Sequence, residues 1–129
     1  MRLASLADTQ AINAWVERDS GREVDFTDFL SSPLNICLLE GEGGAIFVWR
    51  GPWIFEVHLF LEQRGKDAIE LVHRMLGHMR AEFGAKLFWA AVPVVDRHVI
   101  MFTRLMGWKS QCKANFPHGF CEVFSSENM

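Results

Sequence analysis

The apolar positions of the chain fall into segments of two periods, and each change of period marks a change of element. From Ala7 to Arg18, Ala11, Ile12, Ala14 and Trp15 stand at helical spacing, with Asp8-Thr9 placed to cap the helix and Ser20-Gly21 placed to end it. A shorter helix is predicted over Asp25 to Leu30, where Phe26, Phe29 and Leu30 share one side and Ser31-Ser32-Pro33 stops the turn. The period then shortens to two. Asn35 to Leu39, Ala45 to Trp49 and Trp53 to Leu61 are β-branched or aromatic runs, separated by Gly41-Glu42-Gly43-Gly44 and by Gly51-Pro52, which predicts an antiparallel meander. Helical spacing returns from Asp67 to Phe83, where Ala68, Val72, Met75, Leu76, Met79 and Phe83 make a core stripe.

After Gly84, Leu87 to Val92 reads as a strand and Asp96 to Met106 as an amphipathic helix closed by Gly107. Trp108 to Phe116 and Phe120 to Ser125 read as a hairpin around Pro117-His118-Gly119. The predicted order is ααβββαβαββ, an α/β fold with a mixed central sheet and flanking helices. A strand, the long helix and a second strand require a right-handed crossover if the two strands are parallel neighbours.

The chain has 129 residues, 50% of them hydrophobic, which suits one compact domain over 1–129. With 13 Lys and Arg against 16 Asp and Glu the net charge is −3, and this gives no electrostatic reason to expect bulk nucleic-acid or anionic-membrane binding. Glu56, His58 and Glu62 interrupt the most apolar stretch, well short of the roughly 20 residues that cross a bilayer. Cys37, Cys112 and Cys121 follow no framework spacing, and Met1 to Ser5 lacks the apolar run of a signal peptide, so the expected compartment is the cytoplasm. Cys112, His118 and Cys121 lack a fourth ligand for zinc, and the two cysteines read as buried or partly buried structural residues on opposite limbs of a hairpin, so no metal is expected.

The stretch Gln63-Arg64-Gly65-Lys66 lies where the third strand of the meander turns into the long helix. A basic, glycine-bearing turn there directs several backbone N–H groups and the positive end of the helix dipole at one spot, a pocket for pyrophosphate. The alternative is a solvated basic turn, with Asp67 serving as a helix N-cap.

This order of elements, with the turn written as Gln63-Arg64-Gly65-Lys66-Asp67-Ala68, resembles the GNAT family of acyl-CoA-dependent N-acetyltransferases over nearly the whole chain. The family's pyrophosphate turn carries a glycine where Asp67 stands. Asp96 to Trp108 is similar to the family's second segment, Asn-x-x-Ala…Gly-Phe, with Asp96 in place of the Asn that faces CoA. The resemblance implies that Leu59, Leu61, Gln63, Arg64, Gly65, Lys66, Asp67, Ala68, Asp96 and Arg97 hold acetyl-CoA as acyl donor. The run from Glu56 to Glu70 is also similar to compact GNAT-like proteins of phages and prophages. Many family members protonate the departing CoA thiolate with a Tyr; here Thr103 aligns with it, and the chain contains no Tyr.

Strand alternation puts Ile54, Glu56, His58 and Phe60 on one face. Beside an acyl-CoA, Glu56 and His58 are candidates to remove the proton of an attacking amine. The competing reading is a half-exposed strand face, or a hydrogen-bonded core histidine. Trp49, Trp53, Trp89 and Trp108 are candidates for an aromatic cleft, Trp53 and Trp89 first among them, against the alternative of core or edge packing; Phe26, Phe29 and Leu30 are candidates for a cover over the acceptor.

The sequence therefore leads to acetyl transfer to a primary amine, small molecule or peptide, by direct attack. Its rival is an inactive GNAT-fold protein acting in phage or prophage assembly, and a weaker third reading is a homodimeric interaction module.

Overall fold

The structure is a computed structural model, and residues 1–127 are described. The elements are β1 (Arg2–Leu3), α1 (Thr9–Ser20), α2 (Thr27–Ser31), β2 (Ile36–Glu40), β3 (Gly43–Gly51), β4 (Ile54–Phe60), α3 (Gly65–Phe83), β5 (Leu87–Pro93), α4 (Arg97–Leu105), β6 (Lys109–Phe116) and β7 (Gly119–Glu127). They build one seven-stranded sheet in the order β1-β2-β3-β4-β5-β7-β6. Every neighbouring pair is antiparallel except β4 and β5, which run parallel across the α3 crossover. The expected α/β architecture with a mixed sheet is therefore the observed one.

The alternation of side chains divides the apolar residues between two faces. Phe47, Phe55, Val57, Phe88 and Phe124 pack under Leu71, Met75, Leu76 and Met79 of α3. Cys37, Leu39, Ile46 and Phe60 point the other way and pack with Ile12 of α1, with Phe26, Phe29 and Leu30 laid against them. Burying a large apolar side chain contributes about 1.5–3 kcal/mol, so each face holds its helices firmly to the sheet. Both His58 and Glu56 belong to the α1/α2 face by this alternation.

The differences from the expected elements are local. The two-residue strand β1 has no period to betray it and is held by pairing with Leu38 and Leu39. Helix α1 starts at Thr9 instead of Ala7, and Asp8 does not cap it by its side chain. Its carboxylate instead accepts from the Ser5 backbone N–H at 2.9 Å and from the Arg2 guanidinium at 2.7 and 3.0 Å, which holds its pKa down at about 2. Helix α3 starts at Gly65 with Arg64 in the capping position, so Asp67 is the third helical residue and not the N-cap. Of the two hairpin cysteines read as structural, Cys121 is buried as expected, whereas Cys112 is exposed on the edge strand β6; Cys37 is buried as well.

Trp53 fixes the start of the parallel pair. Its backbone is left-handed, with φ 65°, an uncommon conformation outside glycine that the surroundings must hold. Its carbonyl accepts from the N–H groups of Lys86 and Leu87 at 2.8 and 3.1 Å, and Lys86 Nζ lies 4.9 Å from its ring. The β3–β4 turn is thereby pinned to the beginning of β5.

Candidate active site

The parallel ladder between β4 and β5 is short. Ile54 pairs with Leu87, Phe55 with Phe88 and Glu56 with Trp89, and there it stops. On their outer sides the two strands go on pairing, β4 with β3 as far as Phe60 and β5 with β7 as far as Pro93. The facing edges of His58 to Phe60 and Ala90 to Val92 therefore part, leaving backbone donors and acceptors unpaired along a gap. The result is a cleft of about 630 Å³, floored by Val57 to Leu61 and Ala90 to Pro93.

Two lips bound its wide end. One is the turn after β4, where Gln63, Arg64, Gly65 and Ala68 line the wall; the other is the start of α4, with Asp96 and His98. Gly65 has φ 60°, and a Cβ placed there meets nothing within 4 Å, so glycine is required for conformation and not for space. The first N–H groups of α3 have no intrahelical partner and face this end with the positive pole of a 19-residue helix behind them. Arg64 folds back over the turn, Nη1 donating to the carbonyls of Leu61 and Gln63. Gln63 Oε1 is buried without a hydrogen-bond partner.

Of the residues expected to hold a cofactor, Leu59, Leu61, Gln63, Arg64, Gly65, Ala68 and Asp96 line this cleft, and Lys66, Asp67 and Arg97 do not. The Lys66 side chain is 88% exposed and lies 4.0 Å from Glu70. Arg97 opens instead onto a smaller pocket of about 360 Å³ beside Arg104 and Glu122.

The polar cluster stands where the strands part. His58 lines the cleft, and its Nε2 lies 2.6 Å from Glu56 Oε2. Glu56 sits behind it with a side chain only 12% exposed, and its other oxygen, Oε1, accepts from Arg50 Nε at 2.9 Å and lies 2.7 Å from Arg50 Nη2. Hydrogen bonding from His58, reinforced by Arg50, holds the Glu56 carboxyl well below its ordinary range, at about 2. An ionised carboxylate only accepts, so the neutral imidazole must carry its proton on Nε2, which leaves the Nδ1 lone pair free.

Across the cleft, Thr103 is 4% exposed and its hydroxyl donates to the Val99 carbonyl at 2.7 Å. Its one proton is engaged within the helix. Trp108 contributes to the wall, and its Nε1 is buried without a partner. Of the tryptophans proposed from sequence, Trp108 lines the cleft, whereas Trp49, Trp53, which packs at the β3–β4 turn, and Trp89, which pairs with Glu56 at the apex, do not. Among the described residues no three His, Cys, Asp or Glu side chains are grouped to hold a metal ion, and no helix is long and apolar enough to cross a membrane.

Sequence reasoning missed Arg50. Arg50 stands on the face of Glu56 two positions beyond its register partner Val48, which is a usable signal.

No family model matches the chain, and no curated protein is significantly similar to it in sequence. Solved structures are similar in shape. A mutant form of the spermidine N-acetyltransferase SpeG from Vibrio cholerae superimposes with a TM-score of 0.77 at 9% identity, covering 98% of this chain and 93% of that one. The aminoglycoside acetyltransferase AAC(6')-Ib, in complex with coenzyme A and kanamycin, gives 0.73 at 15% identity over 98% and 92%. YncA from Salmonella typhimurium, with its cofactor acetyl-CoA, gives 0.72 at 18% identity over 98% and 91%. The parted β4–β5 pair, the crossover helix α3 and the order of all seven strands give this chain the fold of the GNAT N-acetyltransferases.

Proposed function

We propose that this chain is an acyl-CoA-dependent N-acetyltransferase that transfers the acetyl group of acetyl-CoA to a primary amine by direct attack. The observation that carries the reading is the cleft itself. An extended, amide-bearing arm fits between unpaired strand edges, which can take it as an added strand, and the N-terminus of α3 with Arg64 stands where a pyrophosphate needs donors and positive charge. SpeG and AAC(6')-Ib, named for amine acceptors, share this fold and support the reaction class.

In this reading His58 is the base and Glu56 its anchor. A carboxyl with a pKa of about 2 is a poor proton acceptor at neutral pH, whereas the free Nδ1 of His58 lies on a ring in the cleft wall. The amine nitrogen attacks the thioester carbonyl, its proton passes to His58 Nδ1, and the C–N bond forms. The tetrahedral intermediate collapses with cleavage of the C–S bond, and the thiolate takes a proton from water or from the His58 imidazolium.

A second reading has one observation in its favour: Thr103 stands in the acid's place with its hydroxyl already spent on Val99. It is a binding or assembly protein that retains the cleft without turnover, as in phage or prophage particles. Calorimetry with acetyl-CoA, followed by thiol release against a panel of polyamines, aminoglycosides and peptides, separates the two. Binding together with CoA release above background supports the enzyme; binding without release from any acceptor supports the second reading; no heat at millimolar acetyl-CoA overturns the cofactor assignment.

A further inference from the structure

We propose that Arg50 is a positioning residue for proton transfer, acting on His58 through Glu56; the inference rests on the acetyltransferase reading. Between Trp49↔Phe55 and Gly51↔Ile54 the β3–β4 register shifts, so Arg50 is the extra residue of a β-bulge. Bulges re-aim side chains beside functional sites. Here the re-aimed guanidinium reaches across the sheet to Glu56 Oε1 with two of its nitrogens, at 2.9 and 2.7 Å.

The consequence is a division of labour between the two Glu56 oxygens. Oε1 belongs to Arg50, and only Oε2 is presented to His58, 2.6 Å from Nε2. Arg50 also gives this largely buried anion a permanent cationic partner, so the carboxylate does not depend on a protonated His58 for its counter-charge. Both effects favour one orientation of the ring, with Nε2 donating to Glu56 Oε2, so that in the neutral ring the lone pair is on Nδ1. Without Arg50, Glu56 is free to rotate about its side chain, and the ring loses the contact that selects its tautomer. Arg50 touches neither acyl donor nor acceptor in this scheme. Its half-exposed side chain, 51% accessible, makes its replacement mild for folding.

The test uses Arg50→Gln and the charge-conserving Arg50→Lys in the full chain. Nitrogen NMR of the His58 ring, recorded at a pH where the ring is neutral, should show the Nε2–H tautomer in wild type, a mixture of tautomers in Arg50→Gln, and a return toward wild type in Arg50→Lys. Acetyl transfer should show kcat reduced about tenfold in Arg50→Gln, a fraction of what a positioned base supplies, with the KM for acetyl-CoA within twofold of wild type and partial recovery in Arg50→Lys. An unchanged His58 tautomer in Arg50→Gln, or an unchanged kcat, overturns the role of Arg50. Absence of acetyl transfer from wild type overturns the acetyltransferase reading instead, and leaves the tautomer measurement to decide whether Arg50 orders the ring.

Discussion

Glu56 and Trp89 are the last register partners of the parallel β4–β5 ladder. The residue that anchors His58 thus also marks the apex of the cleft. Because side chains alternate along a strand, His58 is the first residue after Glu56 to return to the same face, and it does so where the strands have begun to part. The geometry places an imidazole beside an open groove without any special loop, held by a ladder that Trp53 pins at its far end.

Acetyl-CoA and CoA should raise the melting temperature. A ligand that binds only the folded state stabilises it by about 2.7 kcal/mol at a hundred times its Kd, which for a chain of this size moves the midpoint by several degrees. Differential scanning fluorimetry over a CoA titration checks this. A midpoint that does not move at millimolar CoA removes the donor site from the cleft.

Arg64 and Lys66 should prove unequal. Arg64 lines the cleft and spends its guanidinium only on carbonyls of its own turn, which it can exchange for phosphate oxygens. Lys66 is almost fully exposed and adds only screened charge. Arg64→Ala should weaken CoA binding about tenfold and Lys66→Ala about twofold or less, with both variants folded. Equal losses in calorimetry, or a larger loss for Lys66→Ala, count against pyrophosphate at this turn.

The elements were legible because their apolar periods are long and clean: the α3 stripe, the meander and the closing hairpin all lie within a few residues of where the pattern puts them, although Phe83, at the end of the stripe, is exposed and Leu71, outside it, is fully buried. What escaped was decided by contacts distant in sequence. The strand β1 exists through its pairing with β2, Asp8 was drawn from capping by Arg2 and Ser5, and Asp67 moved inside the helix because the chain turns helical two residues early at Gly65. At the site, the alternation rule correctly made neighbours of Glu56 and His58. It put Arg50 on the face of Val48, the partner of Glu56, but the contact itself depends on a bulge that only the β3–β4 register reveals.

Acid should separate wild type from Glu56→Gln. The folded-state pKa of Glu56 is about 2, against an ordinary 4.5, so between these values the unfolded chain binds the extra proton and stability rises with pH. The stabilisation is fully present above about pH 4.5 and is lost as the pH falls toward 2; at about 1.4 kcal/mol per pKa unit its upper bound is on the order of 3 kcal/mol, reduced by solvent screening at the half-exposed Arg50 and His58. Denaturant midpoints measured from pH 5 to pH 2 should fall more steeply in wild type than in Glu56→Gln, with Asp8, also held at about 2 by Arg2 and Ser5, contributing equally to both. Parallel curves mean that the Arg50–Glu56–His58 cluster is not formed in solution.

The kinetic signature of the cluster decides whether it performs chemistry. His58→Ala removes the base and should lower kcat by about a hundredfold or more while leaving acetyl-CoA affinity nearly unchanged, the pattern of a group used only in proton transfer. Glu56→Gln should act through the same ring. Its amide can turn an N–H toward His58 Nε2, which makes Nε2 the acceptor and puts the ring proton on Nδ1, where the lone pair is needed; a loss of about ten- to a hundredfold is expected, again in kcat. Thr103→Ala should change the rate less than twofold, because its hydroxyl is committed to Val99; its cost should appear in stability, on the order of 1 kcal/mol for the lost hydrogen bond. Thiol release from acetyl-CoA, measured for the three variants with the best acceptor found for wild type, checks the set. Equal activity of His58→Ala and wild type removes His58 as the base, and a large loss in Thr103→Ala returns the acid's role to Thr103.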